Sequence, residues 1–128
     1  MKKTEAESQK EILVIDDDIT SLDIVAYLFE DLGYHVERCA DGASAIEFVK
    51  TRKPDLMIVD LMMPNIDGKE TVRAIRALGH TKVPIIAFTA VDEPHIHLEA
   101  LEAGCDEVLT KPCHPEKLVK HIQTYLPK

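Results

Sequence analysis

A chain of 128 residues with 45% hydrophobic and 30% charged side chains has the composition of one globular domain with a single core, and is neither a disordered chain nor a two-domain one. Fifteen Lys and Arg against 23 Asp and Glu leave a formal charge of −8, with no basic cluster evident, which argues against direct nucleic-acid binding. No apolar stretch approaches the roughly 18 residues of a membrane span, and the charged opening lacks the apolar centre of a secretory signal, so the expected location is the cytoplasm.

Residues 1–10 read as a charged lead-in. The first apolar run, Ile12-Leu13-Val14-Ile15, ends in Asp16 and Asp17 and predicts a buried strand. Asp18 then stands where a helix N-cap is wanted. Leu22, Val25, Leu28, Phe29 and Leu32 recur at helical spacing before Gly33. His35 to Cys39 alternates in polarity and predicts an edge strand. Asp41-Gly42 opens a helix with Ala45, Ile46 and Val49 inward, and Lys53-Pro54-Asp55 breaks the chain before a strand over Leu56-Met57-Ile58-Val59 that ends in Asp60.

Asp67-Gly68 starts a third helix carrying Val72, Ile75 and Leu78, closed by Gly79. Pro84 introduces a fourth strand, Ile85-Ile86-Ala87-Phe88, which ends in Thr89. Pro94 occupies the first turn of a helix that stops at Gly104. A fifth strand over Glu107 to Thr110 leads to Lys111, and a last helix from Pro115 aligns Leu118, Val119, Ile122, Tyr125 and Leu126 before Pro127. Five strand-helix repeats with short loops predict an α/β fold of flavodoxin-like (βα)5 type: one domain over 11–126, with helices on both faces of a parallel sheet. The continuously apolar first, third and fourth strands belong inside and the second and fifth at the edges, which gives the order 2-1-3-4-5. The switch point between strands one and three then gathers Asp16, Asp17 and Asp60 at one carboxyl edge.

Carboxylates packed this closely repel one another, and a hard divalent cation relieves that repulsion. All-oxygen ligands favour Mg2+, with Mn2+ or Ca2+ in the same class, over zinc. Lys111 offers a point charge to a phosphoryl oxygen and Thr89 a hydroxyl donor, a set suited to in-line phosphoryl transfer. Asp60 is followed by a turn-rich loop that leaves its carboxylate reachable, although charge chemistry alone does not choose the nucleophile.

Ile15-Asp16-Asp17, Asp60 with Met63-Pro64 and Asp67-Gly68, Thr89-Ala90, and Lys111-Pro112 stand in an order and spacing that resembles the receiver domain of two-component response regulators, from Glu11 to Leu126. The resemblance implies that Asp60 accepts a phosphoryl group from a phosphohistidine of a sensor histidine kinase or a histidine phosphotransfer protein. It also implies that Asp17, Asp60 and the Met62 backbone carbonyl ligate Mg2+, and that Asp16 acts directly or through water. The resemblance further implies that Thr89 and Lys111 contact phosphoryl oxygens, that the Lys111-Pro112 bond is cis as is common in the family, and that a downstream target docks on the face of the fourth helix, fifth strand and fifth helix. Such a domain is a switch with a labile aspartyl phosphate rather than a turnover enzyme.

Two positions depart from the family's usual pattern: Val108 stands where many receivers carry an aromatic residue, and Cys113 where phenylalanine often follows Lys-Pro. A stiff, β-branched valine cannot swing inward, which implies an altered or muted response on that target-docking face. The expected organisation is a lead-in and a receiver domain with no output domain. Two rival readings remain. One is a haloacid-dehalogenase-type phosphatase using Asp16, whose Asp16-Asp17-Asp18-Ile19-Thr20 fits the spelling D-x-D-x-T; the other is an interaction module that is never phosphorylated. Cys39, Cys105 and Cys113 read as reduced structural thiols. His95-Ile96-His97 lacks the spacing of a metal site, His121 reads as a solvated surface residue, and Met57 as packing, while Met62 and Met63 suit either packing or a docking surface.

Overall fold

The structure is a computed structural model that describes residues 10–63 and 66–126; the lead-in over 1–9, Pro64 of the Met63-Pro64 pair and Pro127 lie outside the described residues. The elements alternate as expected: β1 (Glu11–Ile15), α1 (Ile19–Asp31), β2 (His35–Cys39), α2 (Gly42–Val49), β3 (Leu56–Val59), α3 (Gly68–Ala77), β4 (Ile85–Thr89), α4 (Pro94–Ala103), β5 (Glu107–Thr110) and α5 (Pro115–Tyr125). All four strand pairings are parallel, and the order is β2-β1-β3-β4-β5.

Side chains alternate across a strand, so the continuous apolar runs divide between two cores. Leu13, Ile15, Met57, Val59, Ile85 and Ala87 face α2, α3 and α4, where they meet Ala45, Val49, Val72, Ile75 and Ala100. Ile12, Val14, Leu56, Ile58, Ile86 and Phe88 face α1 and α5, against Val25, Phe29, Leu118 and Ile122. Every residue of β3 and β4 is buried, as both covered faces require.

The caps follow local chemistry. Asp18, Asp41 and Asp67 each accept a hydrogen bond from a backbone N–H in the first turn of the helix that follows. Gly68 is required by close approach rather than by φ: an added Cβ would fall 2.3 Å from the Asp60 carbonyl oxygen. Gly68 N–H also donates to the Leu61 carbonyl at 2.9 Å, which ties the start of α3 to the loop after β3.

Two helix-spaced leucines differ from the expectation. Leu32 and Leu78 are 49% and 47% exposed; each stands at the C-cap of its helix, one residue before a glycine of positive φ. Lys50, Arg52 and Lys53 form a small basic cluster that the net charge concealed, and they line a cleft with His80. Met57 is fully buried and Met63 nearly so, whereas Met62 is exposed. Arg76, near the end of α3, donates to the carbonyls of Gly104, His80 and Val83 and to Asp106 Oδ2. Asp106 Oδ2 also accepts the Ile85 N–H at 2.8 Å.

Candidate phosphoacceptor and metal site

Backbone bonds at the strand ends hold the polar residues in place. The Asp16 N–H donates to the Cys39 carbonyl at 3.1 Å, Asp60 N–H to Ile15 at 2.9 Å, and Lys111 N–H to Thr89 at 2.8 Å. Each site residue thus extends the sheet's own ladder by one position. Asp16, Asp17 and Asp60 bring carboxylate oxygens within 4.8 Å of one another, as the strand order predicts.

Asp16 and Asp60 are held alike. Asp16 Oδ1 accepts the Asp18 N–H at 3.0 Å, and Asp60 Oδ1 accepts the Met62 N–H at 3.1 Å. Both are local turns in which a carboxylate binds the backbone two residues on. The remaining oxygens meet one cation: Lys111 Nζ lies 2.8 Å from Asp16 Oδ2 and 3.2 Å from Asp60 Oδ2. The ammonium also stands 5.4 Å from the centre of the Phe88 ring, in cation-π range.

Burial pushes the Asp16 carboxyl above the usual carboxylate range, and the Asp60 charge adds to this; hydrogen bonds from Lys111 and from the Asp18 N–H offset only part of it. Burial acts against charge on Lys111 as well, but the hydrogen bond to Asp16 and the fields of Asp60 and Asp16 outweigh it, so the amine is held above its ordinary value. Three carboxylates set against one ammonium leave two negative charges, the charge of one divalent cation. With oxygen donors only, the set fits a hard cation, and Asp17, exposed at the rim, is open to it. Asp60 is half-buried, so one face of its carboxylate is reachable.

Thr89 lies at the end of β4 but is fully buried, and its Oγ1 accepts the Val91 N–H at 3.3 Å. Its contact is with the following loop, and no hydrogen bond joins it to the three aspartates. Val91 is bonded again through its carbonyl, 2.6 Å from His97 Nε2. Val108 pairs in register with Ala87 and is half-buried. The Lys111-Pro112 bond is cis. Asp18 caps α1, with Oδ1 accepting from the Thr20 N–H and Oδ2 from the Ser21 hydroxyl, so the second acid of the D-x-D spelling is occupied.

Of the residues without a site role, Cys39 and Cys105 are buried free thiols, raised by burial to about 11 and about 12 respectively, and Cys113 is half-buried. His121 is half-buried, with Nδ1 2.9 Å from Glu107, rather than simply solvated. A further cluster escaped the sequence because two strands assemble it: Glu11, His35 and Glu37 also lie within 4.8 Å of one another.

The family model of the response regulator receiver domain matches residues 12–123. The chain is 35% identical over 117 residues to the alkaline phosphatase synthesis transcriptional regulatory protein PhoP of Bacillus subtilis, covering 91% of this chain and 48% of that protein. It is 36% identical over 115 residues to the response regulator MprA of Mycobacterium ulcerans, covering 90% of this chain and 49% of that protein. The chain therefore spans about half the length of the curated relatives it matches. Among solved structures, chemotaxis protein CheY4 of Vibrio cholerae superposes with a TM-score of 0.88 at 32% identity, over 92% of this chain and 99% of that one. The receiver domain of a sensor histidine kinase from Pseudomonas aeruginosa, with a magnesium ion coordinated in its active-site cleft, superposes with a TM-score of 0.84 at 30% identity, over 93% and 98%.

Proposed function

The chain belongs to the response regulator receiver family of two-component signalling, and on that premise we propose that Asp60 is its phosphoacceptor. One observation carries the choice: of the two carboxylates that Lys111 bridges, the Asp60 side chain is the more exposed, 13% against 6% for Asp16, and it lies two residues before the exposed Met62. In the proposed step an Asp60 oxygen attacks phosphorus, the P–N bond of a donor phosphohistidine breaks, and the leaving imidazole takes up a proton. Asp16, Asp17, Asp60 and the Met62 backbone carbonyl are the groups assigned to the cation. Magnesium, when bound, supplies the positive charge that lets an anionic donor approach an anionic pocket.

Lys111 exchanges part of its contact with Asp16 and Asp60 for a phosphoryl oxygen, so its charge stays compensated through the transfer. Thr89 moves its hydroxyl from the Val91 N–H to another phosphoryl oxygen, which alters the loop that leads into α4. The donor is a sensor histidine kinase or a histidine phosphotransfer protein, and the output is a change in protein contacts on the α4-β5-α5 face rather than turnover of a substrate. With valine at 108 that face responds weakly; large amide-shift changes across it on adding a beryllofluoride mimic would count against this part. Three free thiols suit the reducing cytoplasm. Among the described residues, no helix is long and apolar enough to cross a membrane.

The test is labelling with acetyl phosphate followed by borohydride trapping and peptide mass spectrometry. Label on Asp60 is expected, and label on Asp16 would overturn the assignment in favour of the phosphatase reading. A chain that neither takes label nor responds to a magnesium titration would be an unphosphorylated interaction module.

A further inference from the structure

Of the five helices among the described residues, four are capped alike. Asp18, Asp41, Asp67 and His114 each accept a backbone N–H from the first turn that follows. Glu93, the residue before α4, makes no side-chain cap bond, and Pro94 follows it. The buried residues of α4, Ala100 and Ala103, both lie in its second half. The first turn of α4 therefore has neither a cap nor a fully buried side chain to fix it to the loop from β4.

A histidine takes that place. His97, half-buried at the end of this first turn, has Nε2 2.6 Å from the Val91 carbonyl oxygen. A carbonyl can only accept, so Nε2 carries the hydrogen. On the other side of its Cα, the Val91 N–H donates to Thr89 Oγ1 at 3.3 Å. Val91 thus stands between the threonine hydroxyl and the helix, bonded to both. The body of α4 is fastened separately: Glu99 Oε1 lies 2.5 Å from Nζ of Lys69 on α3, one residue after the glycine that packs on the Asp60 carbonyl. With the helix anchored on α3, a shift of Thr89 falls on the segment between Thr89 and His97.

We propose that His97 is a positioning residue for the phosphoryl switch: its bond to the Val91 carbonyl latches the loop between β4 and α4 in the resting state and sets how readily Thr89 is released to a phosphoryl oxygen. This rests on the reading of Asp60 as phosphoacceptor and of Thr89 as the group that answers it. A bond made in one state and weakened in the other moves the equilibrium toward the first. When Thr89 leaves the Val91 N–H, His97 still holds the far side of Val91, so the loop follows the hydroxyl only as this second bond stretches or breaks. The latch therefore opposes switching, and its removal favours the switched state.

The experiment is a titration of the whole chain with beryllofluoride and magnesium at constant pH, followed through the amide shifts from Thr89 to His97, in the native chain, His97→Leu and His97→Gln. Leucine fills similar space without a donor, whereas the glutamine side chain keeps an N–H for the same carbonyl. Circular dichroism and urea melts check that each variant is folded. His97→Leu should bind the mimic about three- to tenfold more tightly, the change that one net hydrogen bond is worth. His97→Gln should keep the native affinity. In a Thr89→Ala background the leucine substitution should change nothing, because no hydroxyl is left to pull on the loop; a residue that merely supports α4 would give the same increment with Thr89 or without it. Ring-nitrogen shifts should show hydrogen on Nε2 of His97 in the resting chain. Unchanged or weaker binding in His97→Leu, glutamine behaving as leucine, the same increment in Thr89→Ala, or an Nε2 without hydrogen would each overturn the latch while leaving the phosphoacceptor reading in place. A native chain that does not respond to beryllofluoride would overturn that reading, and the latch with it.

Discussion

Two clusters of acidic side chains in this molecule share one dimension and differ in how their charge is balanced. Glu11, His35 and Glu37, across the β1-β2 edge, and Asp16, Asp17 and Asp60, at the strand ends, each bring their ligand atoms within 4.8 Å. At the edge Arg52 bonds Glu11 and stands 3.9 Å from Glu37, and His35 Nε2 lies 2.6 Å from Glu37, so a guanidinium and an imidazole from the chain itself close the cluster. In the pocket one lysine serves two carboxylates, and Asp17 has no ion pair among the described residues. Crowded carboxylates therefore do not by themselves mark a site. What marks one is a charge deficit that the chain leaves unanswered.

The strongest way to break this contrast is Asp60→Asn, which should abolish acyl-phosphate labelling by acetyl phosphate, read by borohydride trapping, while the circular dichroism spectrum stays native. Lys111→Ala should slow labelling on the order of 10²-fold, the usual cost of deleting a single electrostatic contact to a transferring group; stopped-flow or quenched time courses measure it. Magnesium at about 100 times its dissociation constant should raise stability by about 2.7 kcal/mol in urea melts. Asp17→Asn should remove most of that gain, whereas Arg52→Ala should leave it intact. A magnesium response that vanished in Arg52→Ala would reverse the roles of the two clusters.

Gly68→Ala sharpens the comparison by disturbing the loop that presents Asp60 without touching any charge. Its Cβ would fall 2.3 Å from the Asp60 carbonyl oxygen, and overpacking of this kind should cost about 1–3 kcal/mol. The smallest effect concerns pH. A carboxyl raised above its unfolded value holds its proton more tightly in the folded state, so Asp16 favours folding at low pH and that contribution is lost as pH climbs through its raised value. Melting temperature against pH without magnesium should fall less steeply in Asp16→Asn than in the native chain.

Most of the fold was legible because the strands advertise themselves. β1, β3 and β4 are unbroken apolar runs, β2 alternates and β5 is short, and within a parallel βα alternation those contrasts order the sheet. Asp16, Asp17 and Asp60 follow from the order, since Asp16-Asp17 and Asp60 close the apolar runs of β1 and β3. The cis Lys111-Pro112 bond came from resemblance, because no periodicity encodes it, whereas a point charge at Lys111 and a hydroxyl donor at Thr89 were readable from residue type at the strand ends. What stayed hidden depends on contacts far apart in sequence. The edge cluster needs β1, β2 and Arg52 together, and the bonding of Lys111 to Asp16 as well as Asp60 spans 95 residues. Leu32 and Leu78 misled because helical spacing in the sequence runs up to the C-cap, where both side chains are exposed.

Arg76 has a consequence for how such a molecule can move. By fastening the carbonyls of Gly104, His80 and Val83, and sharing Asp106 with the Ile85 N–H, it clamps β4 and β5 at their amino ends, opposite the pocket. The two strands are thereby pinned at the ends away from Thr89 and Lys111, whose contacts are instead with the pocket and the loop before α4. A disturbance that begins at the tips is expected to be largest there and to fade along each strand toward the clamp, turning outward into the loop before α4 instead of inward through the sheet.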